Sequence, residues 1–476
     1  MRDLFRNREI IGAIFVTLFV SIFALANILA GFSLPVYILA IVPAVLIAFL
    51  YPQSGFFAIV FLTFIFERFF TLAPIVMGRN EYKLYPLDIL LTAVVFGIVF
   101  QFLRGKLEIV FKKADYFIWG FIIVCAIYGV FDMFVLQADK ALSFSSAKNY
   151  ALYAILYFVT FLLIKTKKDF ENFAKLAVFG GLCILGFLIY GISSGQGLWS
   201  EYTPLSTEGV RILAFTHSYY LSMLSVFAFV YILARKNDNE SKIFIALLCF
   251  WAVGIVGSMM RHLWIALGAA FLTVLILLAN EFRKNIKNII IPYVAILFIA
   301  SIPILYFSFL FPNSDLNKRI QEVTGVVSHR VTSIADSDDE SIFWRNVVWQ
   351  EALKKYKDSL VFGTGLGKYL SVEIGTYRNF VEMRNVHNSF LVLLVQMGVL
   401  GVAFLFIPIG VLAKNIFRKI RDKDEFYVER ITVLGILALQ LVAFMFQPYL
   451  ETNLLGIFFW INLGLMRSLS YKNEEV

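Results

Sequence analysis

The stretch PLDILLTAVVFGIVFQFLRGKLEIVFKKADYFIWGFIIVCAIYGVFDMFVL, Pro86–Leu136, decides the fold. Two apolar runs, 86–103 and 115–136, are each about long enough to cross a bilayer as a helix. Between them lies RGKLEIVFKK, a short loop dense in Lys and Arg. An apolar run, a basic loop and a second apolar run form a membrane hairpin whose loop is held on the cytoplasmic side.

The same grammar runs outward in both directions. Apolar spans are expected near residues 10–30, 33–51, 55–76, 86–103, 115–136, 148–165, 174–192, 214–234, 243–260, 263–280, 289–311, 388–413, 431–447 and 453–468. That is about fourteen transmembrane helices (12–14 allowing for merged runs), an all-α polytopic fold. With the N-terminus inside, the alternate loops KTKKDFE, RKNDNESK, EFRKNIKN and KNIFRKIRDKDEFYVER are also basic. A missed or invented span would break that alternation. The first span is basic, then long and apolar, and reads as retained. The chain is 60% hydrophobic and 16% charged, too apolar for a soluble core. Its net charge of +9 sits in the short loops, which makes it a topology signal and gives no reason to expect nucleic acid. Cys125, Cys183 and Cys249 lie in apolar runs without metal spacing.

Four regions follow: a bundle over 1–192, spans with a smaller outer loop and an arginine hairpin over 193–311, a large extracytoplasmic loop over 312–386, and closing helices over 387–476. The large loop exceeds ordinary connection length, which marks it as functional. Within it, SIFWRNVVWQEALKKYKDSL reads as an amphipathic helix with Phe343, Val347, Ala352 and Tyr356 on its apolar face and Ser341 as cap. GTGLGKY then suits a tight reversal or a close backbone approach. It lacks the Lys-Ser/Thr ending of a phosphate loop. The acidic turn DSDDE at 336–340 reads as solvated.

The ionisable residues gather toward one face. Glu67, Arg68, Asp88, Asp132, Arg211, His217, Arg261, His262, His387 and Glu451 all fall at outer span ends, and the inner halves offer little to match them. Such groups are costly in lipid, so the set predicts a polar cavity open outward beneath the long loop. Arginine offers a fixed charge and a planar fork for phosphate, and histidine moves protons near neutral pH. A lipid-linked diphosphate fits this pairing. Its tail would lie between helices, its diphosphate on Arg211, Arg261 and Arg345, and an acceptor hydroxyl at His387. Trp349 and Tyr369 are candidates to stack on sugar, and Asn388 to cap the next span. No metal ligand set and no cofactor is expected. Alternatively, His387 only bonds the loop to a helix mouth, and Arg345 with Trp349, four residues apart, forms a steadying cation–π pair.

Four segments together resemble the bacterial O-antigen ligase and polymerase family, which includes some protein O-oligosaccharyltransferases. VHNSFLVLLVQMGVLGV (386–402) is similar to its His-Asn-x-Phe/Tyr-Leu pattern with a following Gly-x-x-Gly. The loop element 341–369 resembles an Arg-x-x-x-Trp followed by a Gly-x-Gly turn. GSMMRHLWIALGAAFL resembles its Ser-Arg hairpin, and RILAFTHSYYLSMLSVF its Arg-led span opening. The likeness covers roughly 205–445. It departs at Met259, Met260 and His262 around Arg261, and at THSYY where the family often has Pro-Asn, so His217 and His262 are rivals to His387. The resemblance implies a GT-C-like, metal-independent, inverting glycosyltransferase in the bacterial inner membrane, with both termini cytoplasmic and the site outside. It would take glycan from undecaprenyl diphosphate to lipid A core or another repeat unit in lipopolysaccharide or polysaccharide synthesis. A protein hydroxyl as acceptor, or a transporter or flippase of polyprenyl-linked sugar, are the alternatives. A sensor or scaffold built on the long loop is a further one.

Overall fold

The computed structural model describes residues 8–72, 75–77, 80–82, 85–136, 138–194, 212–234, 239–280, 325, 340–374, 377–451 and 455–471. Helices dominate: α1 (Arg8–Ala30), α2 (Leu34–Leu50), α3 (Pro52–Leu72), α4 (Pro86–Leu103), α5 (Lys113–Phe134), α6 (Lys140–Ala147), a π turn (Lys148–Leu152), α7 (Tyr153–Leu163), α8 (Lys167–Ser194), α9 (Phe215–Ala234), α10 (Asn239–Gly257) and α11 (Arg261–Leu277). After them come α12 (Glu340–Tyr356), α13 (Ser389–Ile420), α14 (Tyr427–Phe444) and α15 (Leu455–Tyr471). Among the described residues nine helical segments are long and apolar enough to cross a membrane, and the chain is a multi-pass membrane protein. Large apolar side chains such as Leu39, Leu103, Phe134 and Ile276 point outward, as lipid-facing positions should. The expected span at 289–311 lies outside the described residues.

Two hairpins qualify the all-α expectation. Ile75–Met77 pairs with Asn80–Tyr82 (β1, β2), and Tyr369–Ile374 with Tyr377–Glu382 (β3, β4). The second buries Leu370 and Val372 and exposes Glu373, a period-two pattern. It packs with α12 through Val348 and Ala352, both fully buried. Phe343 is exposed, so the apolar face of α12 centres on Val348. Ser341 lies inside α12, which begins at Glu340, one residue before the expected cap position.

The bundle is tied at one end by ion pairs that the sequence reading did not foresee. Asp115, at the start of α5, takes Arg467 of α15 (3.0 Å) and the Tyr157 hydroxyl (2.6 Å), all buried. Arg430 of α14 forks onto Asp424 at 2.7 and 2.8 Å. Lys167 pairs with Glu429. These belong to the basic-loop end, which corrects the expectation that it holds no comparable charges. The reason is that Asp115 and Lys167 are matched by charges from distant helices, a pairing that position along one span does not disclose.

Candidate functional site

At the opposite end α13 is broken. Gly398 sits at φ 63°, ψ −164°. An unbroken helix would bond the amides of Val399 and Leu400 to the carbonyls of Val395 and Gln396. Instead Val399 N–H donates to Leu360 O (3.0 Å) and Leu400 N–H to Val361 O (3.2 Å). The freed carbonyls accept from Thr364 N–H (2.8 Å) and Gly365 N–H (3.0 Å). The glycine loop thus completes the helix. Gly363 and Gly398 both have positive φ, and a Cβ on either would strike the other segment's backbone. Asp132 of α5 clamps the far side of the loop, accepting from the amides of Leu366 and Gly367.

His387 precedes this broken helix. It ends a single 3₁₀ turn, Met383–Val386, and takes a left-handed conformation (φ 55°) that few side chains adopt. Trp349 of α12 holds the turn by donating Nε1–H to Val386 O (2.8 Å). Asn388 caps α13, its Oδ1 accepting from Leu391 N–H (3.0 Å). His387 Nδ1 lies 2.9 Å from Gln447 Oε1. With the amide so oriented, Nδ1 carries the hydrogen and Nε2 keeps its lone pair. Burial pushes the imidazole below its ordinary pKa. The Gln447 bond opposes this, and the positive charge of nearby Arg345 adds to it. The ring is therefore neutral at neutral pH.

Gln447 belongs to QPYLE, residues 447–451, where alternate residues reach three partners. Tyr449 Oη meets His262 Nε2 at 2.8 Å. Glu451 Oε2 accepts from Ser389 Oγ–H at 2.6 Å. Sequence reading singled out only Glu451 here. The missed signal was three polar side chains at i, i+2 and i+4 around Pro448 in the loop between the last two helices.

The structure gathers His387, Asn388, Arg345 and Trp349 on one flank of QPYLE, with His262 on the other. Arg261 opens α11 beside His262 and is half-buried. Just before it, Met259 adopts φ 58° in the turn from α10. His217 is fully buried with its ring stacked on Phe187 of α8 (5.2 Å). Tyr219, two positions on and so near the opposite helix face, is the residue that meets Tyr449 (4.7 Å). Tyr369 is set apart from this group, its hydroxyl 3.2 Å from Asp139. Asp88 is bound to Lys148 (2.9 Å) and Tyr153 (2.9 Å). Arg211, residues 336–339 and the side chains of Glu67 and Arg68 lie outside the described residues, as does most of the expected roof over 312–339.

Residues 243–406 match the sequence model of a family described as O-antigen ligase. That match supports an assignment to the O-antigen ligase/polymerase family over those residues, a family whose members transfer glycans. It includes His262, Arg345, Trp349, His387 and the break at Gly398. No curated protein matches the chain.

Proposed function

We propose that this O-antigen ligase/polymerase family member is an inverting, metal-independent glycosyltransferase using an undecaprenyl diphosphate-linked donor at the outer face of the bacterial inner membrane, with both termini inside. The observation that carries the reading is the imidazole of His387. Its Nδ1 is fixed by Gln447, its Nε2 is left as a base, and a cation on α12 is felt at the ring.

In the step, the acceptor hydroxyl attacks C1 of the donor sugar as the bond from C1 to the diphosphate oxygen breaks. Nε2 takes the hydroxyl proton, and the diphosphate leaves with the bonding pair. Arg345, with Arg261 and Arg211, is suited to the charge that grows on the leaving group. A bound diphosphate would also offset the Arg345 charge that depresses His387, so donor binding would strengthen the base. Trp349 positions the His387 turn. Tyr369 at the loop edge, where it is 40% exposed, is available to a sugar face. Between α3, α8, α9, α14 and α15 an apolar cavity of about 100 Å³, lined by residues such as Phe64, Phe173, Met223, Ile436 and Phe458, offers room for a hydrocarbon chain. Lipid A core and a second repeat unit are the favoured acceptors. A protein hydroxyl needs the same donor chemistry.

The test is glycan transfer by purified, reconstituted protein supplied with undecaprenyl diphosphate-linked glycan. His387→Ala at equal folded amount should lower transfer by about 10²–10⁴, the usual worth of general-base help. Undiminished transfer would move the base to His262 or His217. No transfer by the wild type with any acceptor would favour a transporter.

A further inference from the structure

Beneath QPYLE the hydrogen bonds can be counted. The Glu451 carboxyl is buried. Its Oε2 accepts from Ser389 (2.6 Å), and its Oε1 lies 3.2 Å from the hydroxyl of Tyr150 in the π turn. That hydroxyl also lies 3.1 Å from Gln396 Oε1. The Gln396 amide has only one sensible orientation, because its Nε2–H donates to Leu366 O (3.2 Å). Tyr150 therefore has one hydrogen and faces two acceptors. An ionised Glu451 leaves one of the two, in a buried place, without a hydrogen. A proton on Glu451 Oε1 completes the chain: Glu451 donates to Tyr150, Tyr150 to Gln396, and Gln396 to Leu366 of the glycine loop.

We propose that Glu451 is a positioning residue that works as a neutral carboxylic acid, joining the contacts that hold His387 to those that hold the glycine loop, and that it loses this role on ionising. The link to His387 runs through Ser389, which touches both Glu451 and the Gln447 backbone (3.2 Å). The clause about His387 rests on its reading as the base; the proton on Glu451 does not. The groups facing the carboxyl are Tyr150 from the π turn, Ser389 from α13 and the amides of Leu450 and Glu451 itself. Asn149 binds the Glu451 backbone carbonyl. Beyond Tyr150 stand Gln396 and, on α5, Cys125. Lys148 is committed to Asp88. Burial lifts the carboxyl to about 7, against the hydrogen bonds from those donors.

Below about pH 7 the chain is complete, and as pH rises through 7 the carboxyl ionises and the chain breaks. Transfer should therefore show an alkaline limb. Glu451→Gln presents a carbonyl to Ser389 and an N–H to Tyr150, so it should keep near-wild-type kcat and lose that limb. Glu451→Ala should lose about tenfold in kcat, roughly the worth of one hydrogen bond, with KM little changed. An activity-free reading comes from infrared difference spectra of wild type against Glu451→Gln in nanodiscs. A protonated carboxyl band should be present at about pH 6, well above the ordinary glutamate range, and fade with a midpoint near 7. Absence of that band overturns the proposal whatever the activity, as does an alkaline limb that survives in Glu451→Gln, or full activity in Glu451→Ala. A band without transfer by the wild type would retain the neutral acid and bring down only the reading of His387.

Discussion

The two ends of the bundle solve the same problem in different ways. At the basic-loop end, buried charges are matched by opposite charges: Asp115 by Arg467, Arg430 by Asp424. The His387 end keeps one buried ion pair, Asp88–Lys148, but the groups linked around QPYLE are largely neutral: imidazole to amide, hydroxyl to carboxyl, tyrosine to glutamine. Matched charges hold one geometry and resist change, because removing either partner strands the other. Chains of neutral donors and acceptors can gain, lose or redirect a proton at small cost. The first end is built to stay still and the second to carry chemistry.

The sharpest way to break that comparison is Arg467→Met. It strands the buried Asp115 and removes the bond from Arg467 Nη2–H to Val110 O (2.9 Å). A loss of about 3 kcal/mol of stability is expected, as for other broken buried pairs, read as earlier thermal unfolding in nanodiscs. Transfer per folded molecule should be unchanged. Adding Asp115→Asn should restore part of the loss, since the stranded charge is then gone. Impaired transfer in the folded variant would mean that the basic-loop end takes part in chemistry, and the division between the ends would fail.

Most of the helical frame was legible in the sequence, because span length and loop charge are set by the bilayer and need no tertiary knowledge. The pairs His387–Asn388 and Arg345–Trp349 were each legible locally, one at a helix mouth and the other four residues apart on one helix face. What could not be read depends on contacts between distant segments. Tyr150 and Gln396 lie 246 residues apart, and the sequence around Tyr150 carries no mark that sets it apart from the other aromatics of an apolar span. Lys148 opens an expected apolar span, and only its partner Asp88, 60 residues away, makes it internal. The hairpin at 369–382 does alternate, but the expectation of a helical chain masked it.

A second, smaller effect tests whether the loop and the broken helix are one unit. Gly398→Ala puts a Cβ onto the Val361 carbonyl at a φ that alanine resists. Forcing the two apart should cost about 2 kcal/mol, the scale of other strained backbone sites. It should also lower transfer, because four backbone bonds between loop and helix are strained together. Lost stability with normal transfer would make the break a packing device, and the His387 end would then be two independent parts.

The smallest effect is the most discriminating, because it reads the neutral chain directly. Free imidazole titrates at 6.5, and burial together with Arg345 places His387 lower. The base must be unprotonated to act, so transfer should rise with pH through a midpoint below 6.5, ahead of the alkaline limb set by Glu451. Gln447 favours the cation by accepting from Nδ1. Gln447→Leu should therefore move the acid limb further down, while freeing the ring to turn and costing about tenfold in kcat, the scale of one hydrogen bond. Gln447→Glu sets a carboxylate against the same nitrogen and should move the limb up. Opposite shifts from one position require that the titrating group touch residue 447. Were the limb to stay put in both variants, it would belong to a group elsewhere. The same series in a His262→Gln background would then ask whether the imidazole across Tyr449 is the one that takes the proton.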